Sequence, residues 1–137
     1  MKYLSALILA SLILFSSCSG EKTKQETAVS STKAEVINLN PKDFQEKSSN
    51  GIILDVRTPG EIDQGKIANA VELDFYQSDF LSKALEYPKD QEIYLYCAVG
   101  ARSLEAARML SQQGFTKVYH LQGGIQAWYQ SGLPIAQ

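Results

Sequence analysis

The residues best suited to chemistry lie in the segment YCAVGARS, residues 96–103, around Cys97. The segment leaves a predicted strand and enters a predicted helix. Its backbone N–H groups can therefore converge on one point, and the helix N-terminus adds partial positive charge. Gly100 lets the chain turn tightly, and the small Ala98 and Ala101 leave room for a bound group. Because such surroundings lower a thiol pKa below about 8.5, the segment predicts an ionised, accessible cysteine nucleophile.

A cysteine at a strand end can also be a buried and inert core residue, as most free cysteines are. Three features favour the reactive interpretation of Cys97. The loop contains a glycine and a permanent cation, Arg102, and it joins a strand to a helix. In an oxidising compartment, moreover, a cysteine needed only for packing could be replaced by alanine or serine at little cost.

The composition excludes several classes of function. The chain has two cysteines and one histidine, which rules out a disulfide framework and leaves too few soft ligands for a zinc site. Lysine and arginine total 13 against 15 aspartates and glutamates. With a net charge of −2 and no basic stripe, no nucleic-acid partner is expected.

Alternating strands and helices position Cys97. The 137 residues, 45% of them apolar, are enough for one globular domain. The predicted strands cover residues 35–39, 52–56, 70–73, 92–96 and 116–120; the predicted helices cover 41–47, 79–87 and 103–113, with a short last helix around Trp128. This alternation predicts an α/β fold whose parallel sheet is covered on both faces. Ligands bind beyond the carboxyl ends of such strands, where Cys97 lies.

The N-terminus predicts an export signal. Lys2 precedes an apolar run at residues 3–15, which is shorter than the roughly 20 residues of a membrane-spanning helix. This pattern is typical of a secretory signal peptide, here residues 1–17. Two small residues before Cys18 resemble the lipobox of bacterial lipoproteins, a family in which this cysteine is diacylated and becomes the new N-terminus. The alternative is a buried helix with a chance cysteine.

A flexible tether is predicted between the lipid and the domain. Residues 18–33 are rich in Ser, Thr, Lys, Glu and Gln and cannot offset their ordering entropy by burial. A diacylated Cys18 would hold the folded domain, residues 34–137, close to a membrane. The resemblance to lipoproteins implies a location in the cell envelope, with the domain facing the periplasm. Because Ser19 is not aspartate, the resemblance favours the outer membrane over the inner.

Four ordered motifs resemble those of rhodanese-like domains. They are LDVRTPGE with GKIANA (54–61 and 65–70), CAVGARS (97–103), GF (114–115) and LQGGIQAW (121–128). The resemblance covers residues 35–134 and implies a central, mostly parallel five-stranded sheet with helices on both faces. It also implies a single-domain sulfurtransferase, without a cofactor or metal, that carries sulfane sulfur as a persulfide on Cys97. Lys66 stands where the family often has histidine.

The resemblance also assigns roles around the site. The loop that binds donor and persulfide consists of Ala98, Val99, Gly100, Ala101, Arg102 and Ser103. Arg102 would attract the donor oxyanion or stabilise the loop. Asp55 and Arg57 lie beside the site, and we interpret them as an ion pair that stabilises the fold. The implied donor is a small sulfane compound such as thiosulfate, the acceptor is a thiol or cyanide, and a monomer is expected.

Other functions stay open at this point. Related phosphatases separate cysteine and arginine by five residues, whereas four separate Cys97 from Arg102. The tighter ring suits one extra sulfur atom better than a phosphoryl group, and the loop holds no general acid. A non-catalytic binding module and a relay of sulfur or redox equivalents between proteins are the remaining alternatives. Retention of Cys97 argues against the first of these.

Several further residues are predicted to have no part in the chemistry. Glu61 and Asp63 are interpreted as a solvated turn rather than an acid pair. The lone histidine, His120, ends a predicted strand and is expected to have no catalytic or metal-binding role. The aromatic residues expected in the core are Tyr94, Tyr96, Phe115 and Trp128.

Overall fold

Apolar runs alternate with helical segments to build a five-stranded sheet flanked by helices. The computed structural model describes residues 34–137. The strands are β1 (Ile37–Leu39), β2 (Ile52–Asp55), β3 (Val71–Glu72), β4 (Glu92–Tyr96) and β5 (Lys117–Leu121). The helices are α1 (Pro41–Lys47), α2 (Pro59–Ile62), α3 (Phe80–Ala84), α4 (Ala101–Gln112) and α5 (Gly124–Gln130), with a 3-10 turn at Ser48–Asn50. Within this part of the chain, no helix has the length and apolar character needed to cross a membrane.

Three predictions fall outside the described residues. They are the signal peptide at residues 1–17, the tether at residues 18–33 and the lipidation of Cys18. All three stay predictions.

All neighbouring strands are parallel, in the order β1-β5-β4-β2-β3. The near-continuous apolar strands β2 and β4 lie inside the sheet, as is typical of parallel strands buried on both faces. Their register places Asp55 beside Tyr96 at the carboxyl edge of the sheet. Cys97 follows Tyr96 directly and therefore lies at this edge. The predicted fold class, an α/β domain on a five-stranded sheet, is confirmed, and the sheet is parallel throughout.

The side chains of β4 alternate between two cores, as the period of two in a strand requires. Ile93 and Leu95 pack with residues of α3 and α4, and Tyr94 and Tyr96 pack with residues of α1 and α5. Phe44 of α1 meets three aromatic rings edge-on, those of Tyr94, Tyr96 and Trp128, at centroid distances of 5.6, 6.5 and 6.2 Å. Helices thus cover both faces. The predicted core positions of Tyr94, Tyr96, Phe115 and Trp128 are confirmed by their burial.

Helix α1 forms where the sequence predicts it. The Oδ1 atom of Asn40 accepts a hydrogen bond from the backbone N–H of Asp43 at 3.0 Å. Pro41 occupies the first helical position, where a backbone N–H would have no hydrogen-bond partner within the helix, so its absence costs nothing. These two residues are a strong local start signal, so the predicted bounds 41–47 are confirmed.

Two other local predictions are wrong. The helix predicted at residues 79–87 spans only Phe80–Ala84. Pro88 disfavours helical geometry at Tyr87, the last residue of the predicted helix. No helix is predicted at residues 59–62, yet α2 forms there, because Glu61 Oε2 accepts from the backbone N–H of Thr58 at 3.0 Å and closes the helix cap.

Candidate active site

Cys97 lies in a tight loop between β4 and α4. Its Sγ accepts a hydrogen bond from the backbone N–H of Gly100 at 3.1 Å. The Ser103 hydroxyl lies 3.5 Å from Sγ and 3.2 Å from the Gly100 carbonyl oxygen, and its one proton can be donated to either. Gly100 makes this turn at φ +102°, in the left-handed region that glycine enters without steric cost. Main-chain and side-chain donors therefore point at the sulfur, which is the geometry predicted for a stabilised thiolate.

Cys97 is deeper than expected, with 1% of its surface exposed. Burial raises the pKa of the thiol, because a thiolate in such a place loses hydration. Hydrogen bonds from the Ser103 side chain and from the backbone N–H groups of Ser103, Gly100 and Val99 outweigh this effect, so the net result is a lowered pKa. The expectation of an accessible sulfur is corrected: the thiolate is favoured at the bottom of the loop rather than at its surface.

The N-terminus of α5 fixes the carbonyl groups of the loop. The backbone N–H of Ile125 donates to the Cys97 carbonyl at 2.8 Å, and that of Gln126 donates to the Ala98 carbonyl at 3.1 Å. With these carbonyls turned towards α5, the amides of the loop face the sulfur. Gly124 permits the close approach, because a Cβ there would lie 2.6 Å from the Ala98 carbonyl oxygen.

His120 supports the loop from β5. Its Nε2 lies 3.0 Å from the carbonyl oxygen of Gly100 and its Nδ1 lies 2.9 Å from Asn38 Oδ1, so the neutral ring donates to one of these two oxygens. Burial lowers the pKa of His120 and favours the neutral ring. No chemical role was predicted for His120, and its contact with the loop was missed. A signal existed, since neighbouring parallel strands bring the ends of β4 and β5 together.

Arg102 forms an ion pair with Glu61. The Nη1 and Nη2 atoms donate to the two carboxylate oxygens at 2.8 and 2.5 Å. These hydrogen bonds lower the pKa of Glu61 to about 2. The interpretation of Glu61 as part of a solvated turn is therefore wrong. It failed because the partner lies 41 residues further along the chain, outside the reach of local patterns.

Asp55 and Arg57 form a buried network at the end of β2. Arg57 donates to the Asp55 carboxylate from Nη2 at 2.6 Å and to the Gly65 carbonyl at 2.9 Å. The Tyr96 hydroxyl donates to the same carboxylate at 2.5 Å and accepts from the backbone N–H of Ile67. This matches the predicted fold-stabilising ion pair. Full hydrogen bonding is what makes such a buried pair tolerable.

The predicted binding loop divides between two elements. Residues 98–100 form the loop, and residues 101–103 are the first turn of α4. The predicted helix start at residue 103 is therefore wrong. The backbone N–H of Leu104 already donates to the Gly100 carbonyl at 3.0 Å, so Gly100 caps the helix. Arg102 and Ser103 are thereby held on a rigid helix rather than on a mobile turn.

The family follows from a match along most of the folded part of the chain. The rhodanese-like domain family matches residues 40–131. This chain belongs to the rhodanese-like domain family. The match contains the Cys97 loop, the Asp55–Arg57 pair and the two glycines at the start of α5.

Named relatives of this rhodanese-like domain include sulfurtransferases. It is 44% identical over 84 residues to a protein of Allochromatium vinosum named Sulfurtransferase, a match covering 61% of this chain and 77% of the relative. It is 34% identical over 97 residues to Thiosulfate sulfurtransferase GlpE of Ectopseudomonas mendocina, covering 69% and 86%. A solved rhodanese-related protein of Thermoplasma volcanium gives a TM-score of 0.65 at 34% identity, covering 73% and 97%. These names support a transferase of the rhodanese type.

Other relatives are longer proteins with a different name. The tRNA uridine(34) hydroxylase of Nitrobacter winogradskyi is 33% identical over 109 residues. The match covers 75% of this chain but only 43% of the hydroxylase. The hydroxylase name therefore describes a protein of which the rhodanese-like domain matches less than half.

Proposed function

We propose that this rhodanese-like domain transfers sulfane sulfur through a persulfide on Cys97. The observation that carries the proposal is the hydrogen bond from the Gly100 N–H to Cys97 Sγ at 3.1 Å, with the Ser103 hydroxyl beside it. The thiolate is the nucleophilic form of cysteine, and the lowered pKa of Cys97 favours it. Donors aimed at the thiolate can also stabilise an anionic sulfur bonded to it.

In the first step, the Cys97 thiolate attacks the outer sulfur of the donor. With thiosulfate, a bond forms between the two sulfurs while the S–S bond of thiosulfate breaks, and sulfite leaves with that electron pair. The product is an anionic persulfide on Cys97. The relative named thiosulfate sulfurtransferase supports a donor of this type.

In the second step, a thiophilic acceptor attacks the outer sulfur of the persulfide. The acceptor is a thiolate or cyanide, and its new bond to sulfur replaces the bond to Cys97, which leaves as the original thiolate. Electrons move only between the reacting atoms in both steps. The chemistry therefore balances without a cofactor or metal.

The corresponding assay follows thiocyanate formation from thiosulfate and cyanide with the full chain. We expect turnover in the wild type and a loss of about 10³-fold or more in Cys97→Ser, because a hydroxyl cannot replace the thiolate nucleophile. Cys18→Ala is the control, since it removes the only other cysteine and should keep the rate. Absence of turnover with every sulfane donor would favour a non-catalytic binding module.

We also propose where the domain works. The signal peptide at residues 1–17 and the cysteine that follows it support export and lipid anchoring through Cys18. The domain would face the periplasm from the cell envelope, on the outer rather than the inner membrane, and would act as a monomer.

A further inference from the structure

The one basic residue of the loop segment is already paired. Arg102 is the only lysine or arginine within residues 97–103. Its two terminal nitrogens bind both carboxylate oxygens of Glu61, and the two side chains are only 17% and 33% exposed. This fork-to-fork geometry is the one by which arginine recognises planar or tetrahedral anions. A sulfonate group would have to displace Glu61 to use the same edge of the guanidinium.

Glu61 is held in place from its other side as well. Its Oε2 accepts from the Thr58 backbone N–H at 3.0 Å and from the Thr58 hydroxyl at 2.9 Å. Pro59, the first residue of α2, has its φ fixed by its ring. The carboxylate therefore cannot leave Arg102 for another orientation without breaking the cap of α2, and it keeps the charge of Arg102 cancelled.

Two exposed side chains near Cys97 and Arg102, those of Val99 and Tyr76, are uncharged. Val99 is 60% exposed in the loop, and the Tyr76 ring, 67% exposed, lies 5.4 Å from the Arg102 guanidinium. Thiosulfate is a dianion and the attacking group is a thiolate, so the two repel each other where no free cation intervenes. A thiol persulfide, RSSH or its anion, offers the same outer sulfur with at most one negative charge and without an oxyanion.

We propose that Glu61 sets the donor preference of the site, selecting thiol persulfides over oxyanionic donors such as thiosulfate by cancelling the charge of Arg102. This rests on the proposed sulfur transfer through Cys97. Glu61 is a positioning residue here, because it acts through Arg102 and not on the reacting atoms. Thiosulfate remains a donor, but a poor one.

The preferred step balances without further reactants. The Cys97 thiolate attacks the outer sulfur of RSSH, the S–S bond of the donor breaks, and RS⁻ leaves with the electron pair. Cys97 then carries the –SSH group, which passes its proton to the RS⁻ that leaves and becomes the anionic persulfide. One negative charge is present before and after.

The test compares two donors, thiosulfate and cysteine persulfide, on the full chain with cyanide as acceptor. We expect Glu61→Gln to raise kcat/KM for thiosulfate about tenfold by freeing the cation, as a charged cleft does for an oppositely charged substrate. The value for cysteine persulfide should change much less. Thr58→Ala is the matched control, because it weakens the same cap while leaving Glu61 on Arg102. It should leave the ratio of the two kcat/KM values unchanged.

A second measurement needs no variant and covers the case in which Glu61→Gln does not fold. In the wild type, kcat/KM for thiosulfate should rise with ionic strength, because salt screens the repulsion between dianion and thiolate. A fall would mean that a free cation receives thiosulfate, and it would overturn the inference. An unchanged donor ratio in folded Glu61→Gln would overturn it too. If neither donor loads sulfur, the proposed function itself fails.

Discussion

Around Cys97, the hydrogen-bond donors come from two kinds of group. The backbone N–H of Gly100 reaches the sulfur because Gly100 adopts a left-handed conformation. A glycine in the sequence is a signal for such a turn. The hydroxyl of Ser103 depends on where α4 begins, and the predicted start was wrong by two residues. The motif therefore located the nucleophile and placed Ser103 in the binding loop, whereas the contact of the Ser103 hydroxyl with the sulfur became visible only in the structure.

Ser103→Ala should shift the pH dependence of sulfur transfer. Loss of the hydroxyl removes a donor that lowers the pKa of Cys97 against the effect of burial, so the pKa should rise. We expect a loss of roughly tenfold near neutral pH, since a hydrogen bond to a charged group contributes about 1.5–3 kcal/mol, with recovery at alkaline pH. The measurement is kcat/KM as a function of pH.

Ser111→Ala is the control for this variant. Ser111 lies on the same helix, and its hydroxyl donates to the Ala34 carbonyl instead of the sulfur. Its profile should overlay that of the wild type. A Ser103→Ala enzyme that is equally impaired at all pH values would show that the hydroxyl acts on the loop and not on ionisation.

Among the helices and strands, those with start signals in the local sequence were predictable, whereas contacts between distant segments were not. Helix α1 was predictable because Asn40 and Pro41 are adjacent start signals. Helix α2 was missed because its four residues are too few for a hydrophobic period, although Glu61 closes its cap. The ion pair between Glu61 of α2 and Arg102 of α4 joins residues that are 41 positions apart, so local sequence patterns could not predict it.

The Glu61–Arg102 ion pair between α2 and α4 should make the free energy of unfolding depend on pH. Arg102 holds the pKa of Glu61 at about 2, below its ordinary 4.5. The lowered value means that the ion pair stabilises the fold fully above pH 4.5 and that this contribution is lost as pH falls towards 2. Because the pair is partly exposed, we expect about 1 kcal/mol.

Urea unfolding of the wild type and Glu61→Gln measures this contribution. The difference in free energy of unfolding should be about 1 kcal/mol at neutral pH and should shrink in acid well below the ordinary Glu pKa. Asp63→Asn serves as the control, since no ion pair within residues 34–137 involves Asp63. A Glu61→Gln difference that stays constant in acid would contradict the account.

For the whole molecule, the order of motifs was enough to predict the sheet and the edge at which Cys97 lies. The carboxyl ends of parallel strands meet at one edge of the sheet, so the strand predicted at residues 92–96, which Cys97 follows directly, placed the cysteine at that edge. The depth of the sulfur was not predictable. It results from packing among Val56, Phe75 and α4 around one core, which no local segment encodes.

Membrane attachment is a prediction about the whole chain. If Cys18 is lipidated after export, Cys18→Ala should move the protein from the membrane fraction to the soluble fraction, because two acyl chains give stable anchoring and none gives little. Fractionation of cells that express the two forms measures this, with Cys97→Ser as the control that should stay in the membrane fraction. Unchanged fractionation of Cys18→Ala would reject lipidation.

The most direct test of sulfur transfer is the mass of the intact protein. In the full chain with Cys18→Ala, Cys97 is the only thiol. After treatment with thiosulfate or cysteine persulfide, mass spectrometry should show a gain of one sulfur atom, which cyanide removes and which is absent when Cys97→Ser is added. An unchanged mass with both donors would contradict the proposal that Cys97 carries sulfur.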